Sequence, residues 1–530
     1  MKQLKIVFFI LALVAAAGLY MTNLSLAEGK PGGTLIVSAG QVPRHFNGAV
    51  QSGNATAMLS TQIFASPIRF DDKWNPQPYL AESWKISDDG LTVTLNLVKG
   101  ATFHDGKPVT SEDVAFSIMT IKENHPFTTM FAPVEKIETP DPHTAVLRLS
   151  QPHPAILLAM SPPLCPILPK HVYGDGQDIK THPMNLKPIG SGPFKFVEYK
   201  TSEHAILARN ENYFIKGRPY LDRIVYRYIM DPVGRVMAAE AKETHFEATV
   251  ISARDIKRLQ KQDHLKVEPS APAIGPINWL AFNLKQKPLN DKRVRQAIGY
   301  AIDRDFIVKR MHFGLSKDAT GPIVPNSPFY SSAVERYDVN LEKANNLLDE
   351  AGYPKSDGKR FSLTVDSMPF LPEQQKNIAE YLKSQLKKVG IEVVVRASPD
   401  FPTWAKRVST WDFDMTMDIV YNWSDPVIGV HRTYLSSNIR QGVIWSNTQN
   451  YSNPKVDEIL AQAAVESDVA KRKALYAEFQ KIVVEDIPIY FINVLPTYVA
   501  YDKNLRNVNN TIWGGLSPND EMYWVKLPTK

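Results

Sequence analysis

The sequence predicts an α/β fold divided into at least two lobes, and three observations support this prediction. At 530 residues, the chain is longer than one hydrophobic core usually accommodates. Hydrophobic patterns with the period of a strand and with the period of a helix occur throughout it. A helical pattern that ends at Gly390 passes directly into the alternating pattern of residues 391–395. This succession is typical of an α/β lobe.

The same patterns predict the elements in chain order. Alternation predicts strands over residues 91–97 and 224–228, and Ser111 and Asn290 are predicted to cap helices. Further elements are expected at residues 341–351, 378–389, 456–463 and 475–482 as helices, and at 487–494 as a buried strand. No low-complexity linker divides the chain, so ordinary segments must join the lobes. The candidate crossings are residues 275–279 and the stretch around Pro488.

The N-terminus has the layout of a secretory signal peptide. Lys2 and Lys5 precede an apolar run over residues 6–21, and Ser25 and Ala27 supply small residues for cleavage after position 27. The run is shorter than the roughly 20 residues that a membrane-spanning helix needs. Removal of residues 1–27 takes away two lysines and no acid, so the net charge falls from +6 to +4. So small a charge predicts no nucleic-acid partner.

Cys165 is the only cysteine, which excludes an intramolecular disulfide. Its apolar, proline-rich surroundings predict a buried side chain, not a nucleophile. No cysteine follows the N-terminal apolar run. We therefore expect a soluble periplasmic protein that is not lipid-anchored.

The sequence lacks the common signatures of catalysis. It has no His-Glu-x-x-His run, no Gly-x-Ser-x-Gly elbow and no phosphate loop. Its twelve histidines are scattered and show no metal-ligand spacing with the cysteine. We therefore expect no enzyme activity, no cofactor and no metal site.

Several short runs, in a fixed order, carry a family resemblance. They are Leu80-Ala-Glu-Ser-Trp84, Phe103-His-Asp-Gly-Lys-Pro108, Thr110-Ser-Glu-Asp-Val114, Gly190-Ser-Gly-Pro-Phe194, Asn210-Glu-Asn-Tyr-Phe214, Val294-Arg-Gln-Ala-Ile298 and Tyr451-Ser-Asn-Pro-Lys-Val-Asp457. Together they resemble the peptide/nickel-type extracellular solute-binding proteins of ABC transporters, family 5. The resemblance extends over about residues 32–526.

The resemblance implies a two-lobe periplasmic binding protein with an extra sub-domain in the first lobe. By analogy, lobe one comprises residues 28–276 plus 489–530, and lobe two comprises residues 277–488. Ligand would bind in the cleft between the lobes, and closure about a hinge would bury it. The expected partners are a small-molecule or peptide ligand and an inner-membrane ABC permease, and the protein is expected to be a monomer.

Residues 418–426 are the segment that the resemblance connects most directly to the ligand. In peptide-binding members, an aspartate three residues before an Asp/Glu-Pro pair binds the α-ammonium group of the peptide. The matching position here is Asn422, because Asp425 precedes Pro426. Asparagine cannot neutralise an ammonium, so a simple free-amine peptide is disfavoured. Asp425 either supplies the charge instead or is a turn residue.

Several further residues are candidates for the cleft. The resemblance places Ser52, Gly53 and Asn54 where the first lobe often contacts ligand. Trp404 either lines the cleft or holds its helix in place, and Arg440 either meets an anionic group or is solvated. Trp423 and Trp445 are candidates for stacking on a sugar or an apolar face.

These features leave several functions open. The first is capture of a peptide or peptide-like solute for an ABC importer. The alternative, motivated by Asn422 and the nearby tryptophans, is a binding protein for an oligosaccharide, opine or other sugar conjugate. Less favoured are binding of a nickel chelate and an exported enzyme.

Overall fold

The computed structural model describes residues 31–247, 249–369 and 371–528. The predicted signal peptide lies outside these ranges and stays a prediction. Within them, no helix combines the length and the apolar character needed to cross a bilayer.

The strands are numbered in chain order. They are β1 (Thr34–Ala39), β2 (Ile68–Phe70), β3 (Pro76–Pro78), β4 (Ala81–Ile86), β5 (Thr92–Leu97), β6 (Val134–Asp141), β7 (Thr144–Leu149), β8 (Phe194–Lys200), β9 (His204–Arg209), β10 (Arg223–Tyr228), β11 (Phe246–Glu247), β12 (Leu265–Pro269), β13 (Pro276–Phe282), β14 (Lys317–Asp318), β15 (Phe361–Ser367), β16 (Ile391–Ala397), β17 (Met415–Tyr421), β18 (Ile489–Val494), β19 (Tyr498–Asp502), β20 (Leu505–Arg506) and β21 (Tyr523–Trp524).

The α-helices are numbered in the same way. They are α1 (Asn54–Ile63), α2 (Ser111–Asn124), α3 (Ile156–Ala159), α4 (Lys170–Tyr173), α5 (Pro232–Glu240), α6 (Ala253–Leu259), α7 (Lys292–Ala301), α8 (Arg304–Phe306), α9 (Leu341–Glu350), α10 (Pro372–Lys387), α11 (Phe401–Ser409), α12 (Pro426–Gly429), α13 (His431–Tyr434), α14 (Pro454–Val465) and α15 (Val469–Asp486). Short 3-10 or π turns occur at Thr128–Met130, Pro183–Asn185, Ile307–Met311, Ser436–Asn438 and Gly514–Leu516.

Two large mixed sheets form the centres of two lobes. The first has the strand order β12-β19-β11-β1-β10-β9-β8, and the second has the order β14-β18-β13-β17-β15-β16. Each sheet has its own hydrophobic core. A separate antiparallel sheet, β4-β5-β7-β6, packs with α2 against the core of the first lobe. The α/β, two-lobe fold with an extra sub-domain in the first lobe is therefore confirmed.

The second boundary between the lobes differs from the sequence prediction. The prediction returned the chain to lobe one at residue 489, but β18 pairs with β13 inside the second sheet. The chain enters the first sheet only with β19, which pairs with β11 and β12. The proline at 488 suggested a break, yet it directly precedes a buried strand, a position that proline tolerates.

In the described part of the chain, two segments connect the lobes, and the end of β17 lies beside them. At the start of β13, Pro276 pairs with Tyr421 at the end of β17, and Ile277 pairs with Val494 at the end of β18. The backbone N–H of Leu495 donates to the carbonyl of Pro276 over 3.0 Å. The crossing predicted at residues 275–279 therefore lies at this junction.

Local details agree with the sequence to within one residue. Thr110, not Ser111, precedes α2, and its N–H donates to Asp113 Oδ2 over 2.8 Å. Asp291, not Asn290, caps α7 by accepting from the N–H of Arg293 over 2.8 Å. Cys165 is buried, as predicted.

Candidate ligand-binding cleft

A cavity of about 600 Å³ lies between the two lobes. Its first wall comes from lobe one and consists of Gln41, Val42, Pro43, Arg44, Gln51, Ser52, Gly53, Asn54, Ala55, Thr56, Phe127 and Met230. Its second wall comes from lobe two and consists of Met368, Pro369, Phe401, Ile419, Val420, Tyr421, Trp423, Arg432 and Trp445.

The positions of the two walls follow from the direction of the strands. In the first sheet β1 and β10 are parallel, and the cavity residues 41–44 and Met230 follow their carboxyl ends. In the second sheet β15 and β17 are parallel, and the cavity residues 368–369 and 419–421 lie at their carboxyl ends. Ligands of open α/β sheets bind at this edge.

The start of α1 forms part of the first wall. Gly53 caps this helix with φ 125° and provides no side-chain hydrogen bond, and no acidic residue lies in the first turn. Among the described residues, the backbone N–H groups of Asn54, Ala55 and Thr56 find no acceptor. Unpaired N–H groups at a helix start carry a partial positive charge. The predicted candidates Ser52, Gly53 and Asn54 therefore line the cavity beside an electropositive helix end.

Aromatic rings line the other side. Trp423 lies in the left-handed region with φ 48°, and its ring centroid is 5.4 Å from that of Phe127 in the opposite lobe. Trp445 has 37% of its surface exposed, and its ring is 5.7 Å from Phe401. The structure therefore brings the predicted Trp423 and Trp445 to one cavity, together with two phenylalanines that the sequence analysis missed.

Trp404 does not line the cavity. It is fully buried against Met368, Val408 and Phe413, and its Nε1 atom donates to Thr416 Oγ1 over 3.2 Å. Its ring lies 5.6 Å from the ring of Phe401. Trp404 therefore supports a wall residue from behind, the second of the two roles that the sequence left open.

Asn422 and Asp425 also lie outside the cavity lining. Oδ1 of Asn422 accepts from the N–H of Val324 over 2.8 Å, and its Nδ2 donates to the carbonyl of Pro322 over 3.1 Å. Asp425 caps α12 and accepts two hydrogen bonds of 2.7 Å from Arg472. This ion pair lowers the pKa of Asp425 despite its burial. Both side chains are thus engaged within the protein.

Arg440 is exposed and lies outside the cavity lining, whereas Arg432 forms part of it. Nε of Arg432 donates to the carbonyl of Gly429 over 3.1 Å, and Nη1 donates to the carbonyl of Trp445 over 3.2 Å. The guanidinium carbon lies 4.9 Å from the centre of the Phe127 ring. Burial lowers the pKa of Arg432 to about 10, which still leaves it charged at neutral pH.

Asp418 lies behind this wall, on the strand that carries Ile419. Its Oδ1 atom accepts from the N–H of Ile419 over 2.6 Å. Burial raises the pKa of Asp418 to about 7, opposed by this hydrogen bond, by the side chain of Trp445 and by the charge of Arg432. The carboxyl is therefore only partly ionised at neutral pH.

Sequence reasoning missed most of the cavity residues for two reasons. Phe401 lies one helical turn before Trp404, but no pattern in the sequence says which ring faces the cleft. The residues that follow β1, β10 and β15 could have been identified only from the parallel pairing, which a single sequence does not reveal.

The chemistry of the lining suits binding. None of the described lining residues is His, Cys, Asp or Glu. Throughout the described ranges, no group of three such side chains is arranged to hold a metal ion. The lining instead combines apolar and aromatic surface with a few polar groups, the usual make-up of a small-molecule site.

Comparison with known proteins agrees with this geometry. A family model described as "Bacterial extracellular solute-binding proteins, family 5 Middle" matches residues 75–442. The oligopeptide-binding protein AppA of Bacillus subtilis (strain 168) is 29% identical over 525 residues, which cover 93% of this chain and 93% of AppA.

Two solved structures extend the comparison. The structure of AppA from Bacillus subtilis in complex with a nonapeptide has a TM-score of 0.81 at 28% identity, covering 94% of this chain and 100% of that chain. The structure of AgaA from A. tumefaciens R10 in complex with agropinic acid has a TM-score of 0.78 at 26% identity, covering 94% of this chain and 99% of that chain. Relatives named for nickel, heme and glutathione also occur.

The family model spans well over half of the chain, and the related structures share its two-lobe fold. Proteins of this family are solute-binding components of ABC transporters and are not enzymes. The chain belongs to the bacterial extracellular solute-binding proteins, family 5.

Proposed function

We propose that this protein is the periplasmic substrate-binding component of an ABC importer for a peptide or peptide-like solute. It captures the solute between its lobes and delivers it, as a soluble monomer without a lipid anchor, to an inner-membrane permease. The lobes named in this proposal comprise residues 28–276 with the C-terminal segment, and the second sheet with its helices.

The observation that supports the proposal best is the cavity between the lobes. Its volume of about 600 Å³ lies within the range of small-molecule sites, and both lobes contribute to its walls. Thr129 Oγ1 of lobe one donates to the carbonyl of Val427 over 2.9 Å, close to the Phe127–Trp423 contact. A ligand that touches both walls favours the closed form, because its contacts are complete only there.

Thermal-shift screening of the mature protein tests the proposal. The panel contains di-, tri- and oligopeptides, opines and oligosaccharides. A ligand at about 100 times its dissociation constant should add roughly 2.7 kcal/mol to the stability. If no peptide or peptide-like compound changes the melting temperature, the proposal is wrong. Loss of solute uptake on gene deletion tests the link to a permease.

A second candidate, an opine or other sugar conjugate, is favoured by the absence of Asp and Glu from the described cavity lining. Without an ionised carboxylate, the cavity offers no strong partner for the α-ammonium group of a peptide. The relative AgaA is described in complex with agropinic acid. Selective shifts by opines or sugar conjugates, with none by peptides, would establish this alternative.

A nickel chelate is less well supported. The described lining contains none of the His, Cys, Asp or Glu side chains that hold metal ions. A relative from Campylobacter jejuni is described in complex with Ni(L-His), so the chelate belongs in the screening panel.

A further inference from the structure

We propose that the cavity selects ligands that carry a carboxylate or an equivalent anionic oxygen group, and that Arg432 is the residue that binds it. This inference rests on the proposed function, since it concerns the same cavity. It adds the group of the ligand that the cavity recognises and the residue that binds this group.

The guanidinium of Arg432 does not use all of its hydrogen-bond donors. Two of its nitrogens donate to carbonyls, while Nη2 has no hydrogen bond within the described part of the chain. No carboxylate in that part forms an ion pair with it. Asp418 is the acidic group that acts on it, and the raised pKa of Asp418 means that its negative charge is incomplete at neutral pH. The guanidinium therefore remains a poorly compensated charge in a half-buried wall.

An anionic group on the ligand would compensate this charge. A guanidinium that is partly removed from water is stabilised most strongly by binding an anion. Carboxylates and phosphates match its planar donors and form short, charge-assisted hydrogen bonds. The ring of Phe127 beneath the guanidinium holds its plane and excludes water from that face.

The rest of the cavity is also positively charged. Arg44 is the other charged residue among the described lining residues, and the uncapped start of α1 adds partial positive charge. Asn422 and Asp425, which the sequence had connected with an ammonium group, are engaged inside the protein. The cavity thus attracts an anion and lacks a partner for a cation.

Two side-chain oxygens of the cavity are available to a neutral part of the ligand. Oε1 of Gln51 and Oδ1 of Asn54 are buried without a donor among the described residues. Both side chains line the cavity, so each can accept from a hydroxyl or amide N–H of the ligand. The expected ligand therefore combines an anionic group with neutral hydrogen-bond donors and an apolar part.

Matched ligand pairs test the inference. Each hit from the thermal-shift panel is compared with its carboxamide, and each amine-bearing hit is compared with its N-acetyl form. We expect the carboxamide to bind about 10- to 100-fold more weakly, as for loss of one charge-assisted hydrogen-bonded pair. N-acetylation should change the dissociation constant less than threefold. Equal binding of acid and carboxamide would overturn the inference.

Arg432→Gln provides the second arm, with Arg440→Gln as the matched control outside the cavity. Arg432→Gln should weaken binding of the acid by about the same factor and bring the ratio of the acid and carboxamide affinities close to one. Arg440→Gln should leave both unchanged. Arg432→Lys keeps the charge but loses the planar fork, and it should retain part of the acid preference. An acid preference that persists in Arg432→Gln would overturn the assignment to Arg432.

The two proposals fail in different ways. If neutral ligands bind the wild-type protein well, the import function stands and the anion inference is wrong. If no panel compound binds, the peptide-like function is wrong, and the molecule released from freshly purified protein decides the inference by its charge in mass spectrometry. A neutral or cationic molecule, or none, then overturns the anion inference too.

Discussion

The Oδ1 atom of Asn422 accepts a 2.8 Å hydrogen bond from the backbone N–H of Val324. The Nδ2 atom of the same side chain donates to the carbonyl of Pro322. One buried amide therefore fixes the loop before Val324 against the end of β17, next to the junction of the lobes. In this protein the position has a structural role that requires both a donor and an acceptor.

Asn422→Asp tests that role. A carboxylate can still accept from Val324, but it leaves the carbonyl of Pro322 without its donor and places two oxygens together. We expect a loss of about 1–3 kcal/mol in the free energy of unfolding, measured by urea denaturation. Asn326→Asp, at an exposed position, is the control and should change stability by less than about 0.5 kcal/mol. A gain in affinity for free-amine peptides would contradict our placement of Asn422.

Trp404 and Trp445 have different roles at the cleft: the first supports its wall, and the second is expected to contact ligand. Trp404→Ala should cost about 3–5 kcal/mol of stability, because the fully buried indole leaves a cavity. Trp445→Ala should lower the melting temperature only slightly, since the ring is partly exposed, but should weaken ligand binding. Calorimetry and ligand titration measure the two effects. An unchanged affinity for Trp445→Ala would show that this ring does not contact ligand.

Asp418 makes stability depend on pH. Its pKa is about 7 in the folded protein, against an ordinary value of 3.8, so the folded state holds the proton more tightly. The stabilisation is complete below the unfolded pKa and is lost as pH rises through about 7. Relative to Asp418→Asn, the wild type should therefore gain about 2–3 kcal/mol between pH 8 and pH 5. Urea titrations at each pH measure this difference, and a constant difference would contradict the burial of a titrating carboxyl.

The pKa of Asp425 is shifted in the opposite direction to that of Asp418. The two hydrogen bonds from Arg472 lower its pKa, so its contribution is present above the unfolded pKa and is lost only as pH falls through the folded pKa. Asp425→Asn should cost about 3–5 kcal/mol, because it leaves Arg472 buried without its counter-charge. This cost should be the same at pH 8 and pH 5. A cost below about 1 kcal/mol would show that the buried pair is dispensable.

The comparison of sequence and structure shows where a single sequence is informative. Helices and strands with a strong period, such as α10 followed by β16, were predicted in the right place because one face of each is buried, although α10 begins at Pro372 and not at residue 378. The choice between Trp404 and Phe401 could not be made, since both lie on one short helix and only tertiary packing separates them. Arg432, which we propose as the anion-binding residue, was missed because no sequence pattern marks it. Only the fold shows that it lines the cavity and that no carboxylate of the described residues forms an ion pair with it.

The two connections between the lobes have a mechanical consequence. Pro276 pairs with Tyr421 on one side and accepts from Leu495 on the other, so the connections form one narrow ribbon. A rotation of one lobe about this ribbon leaves the hydrogen bond between Leu495 and Pro276 intact, so we expect the lobes to move by bending at the ribbon. Rotation about this ribbon changes the angle between the lobes, so the size of a bound ligand should set that angle. A bulky group of the ligand close to the ribbon should therefore open the lobes more widely than the same group at the far rim of the cleft.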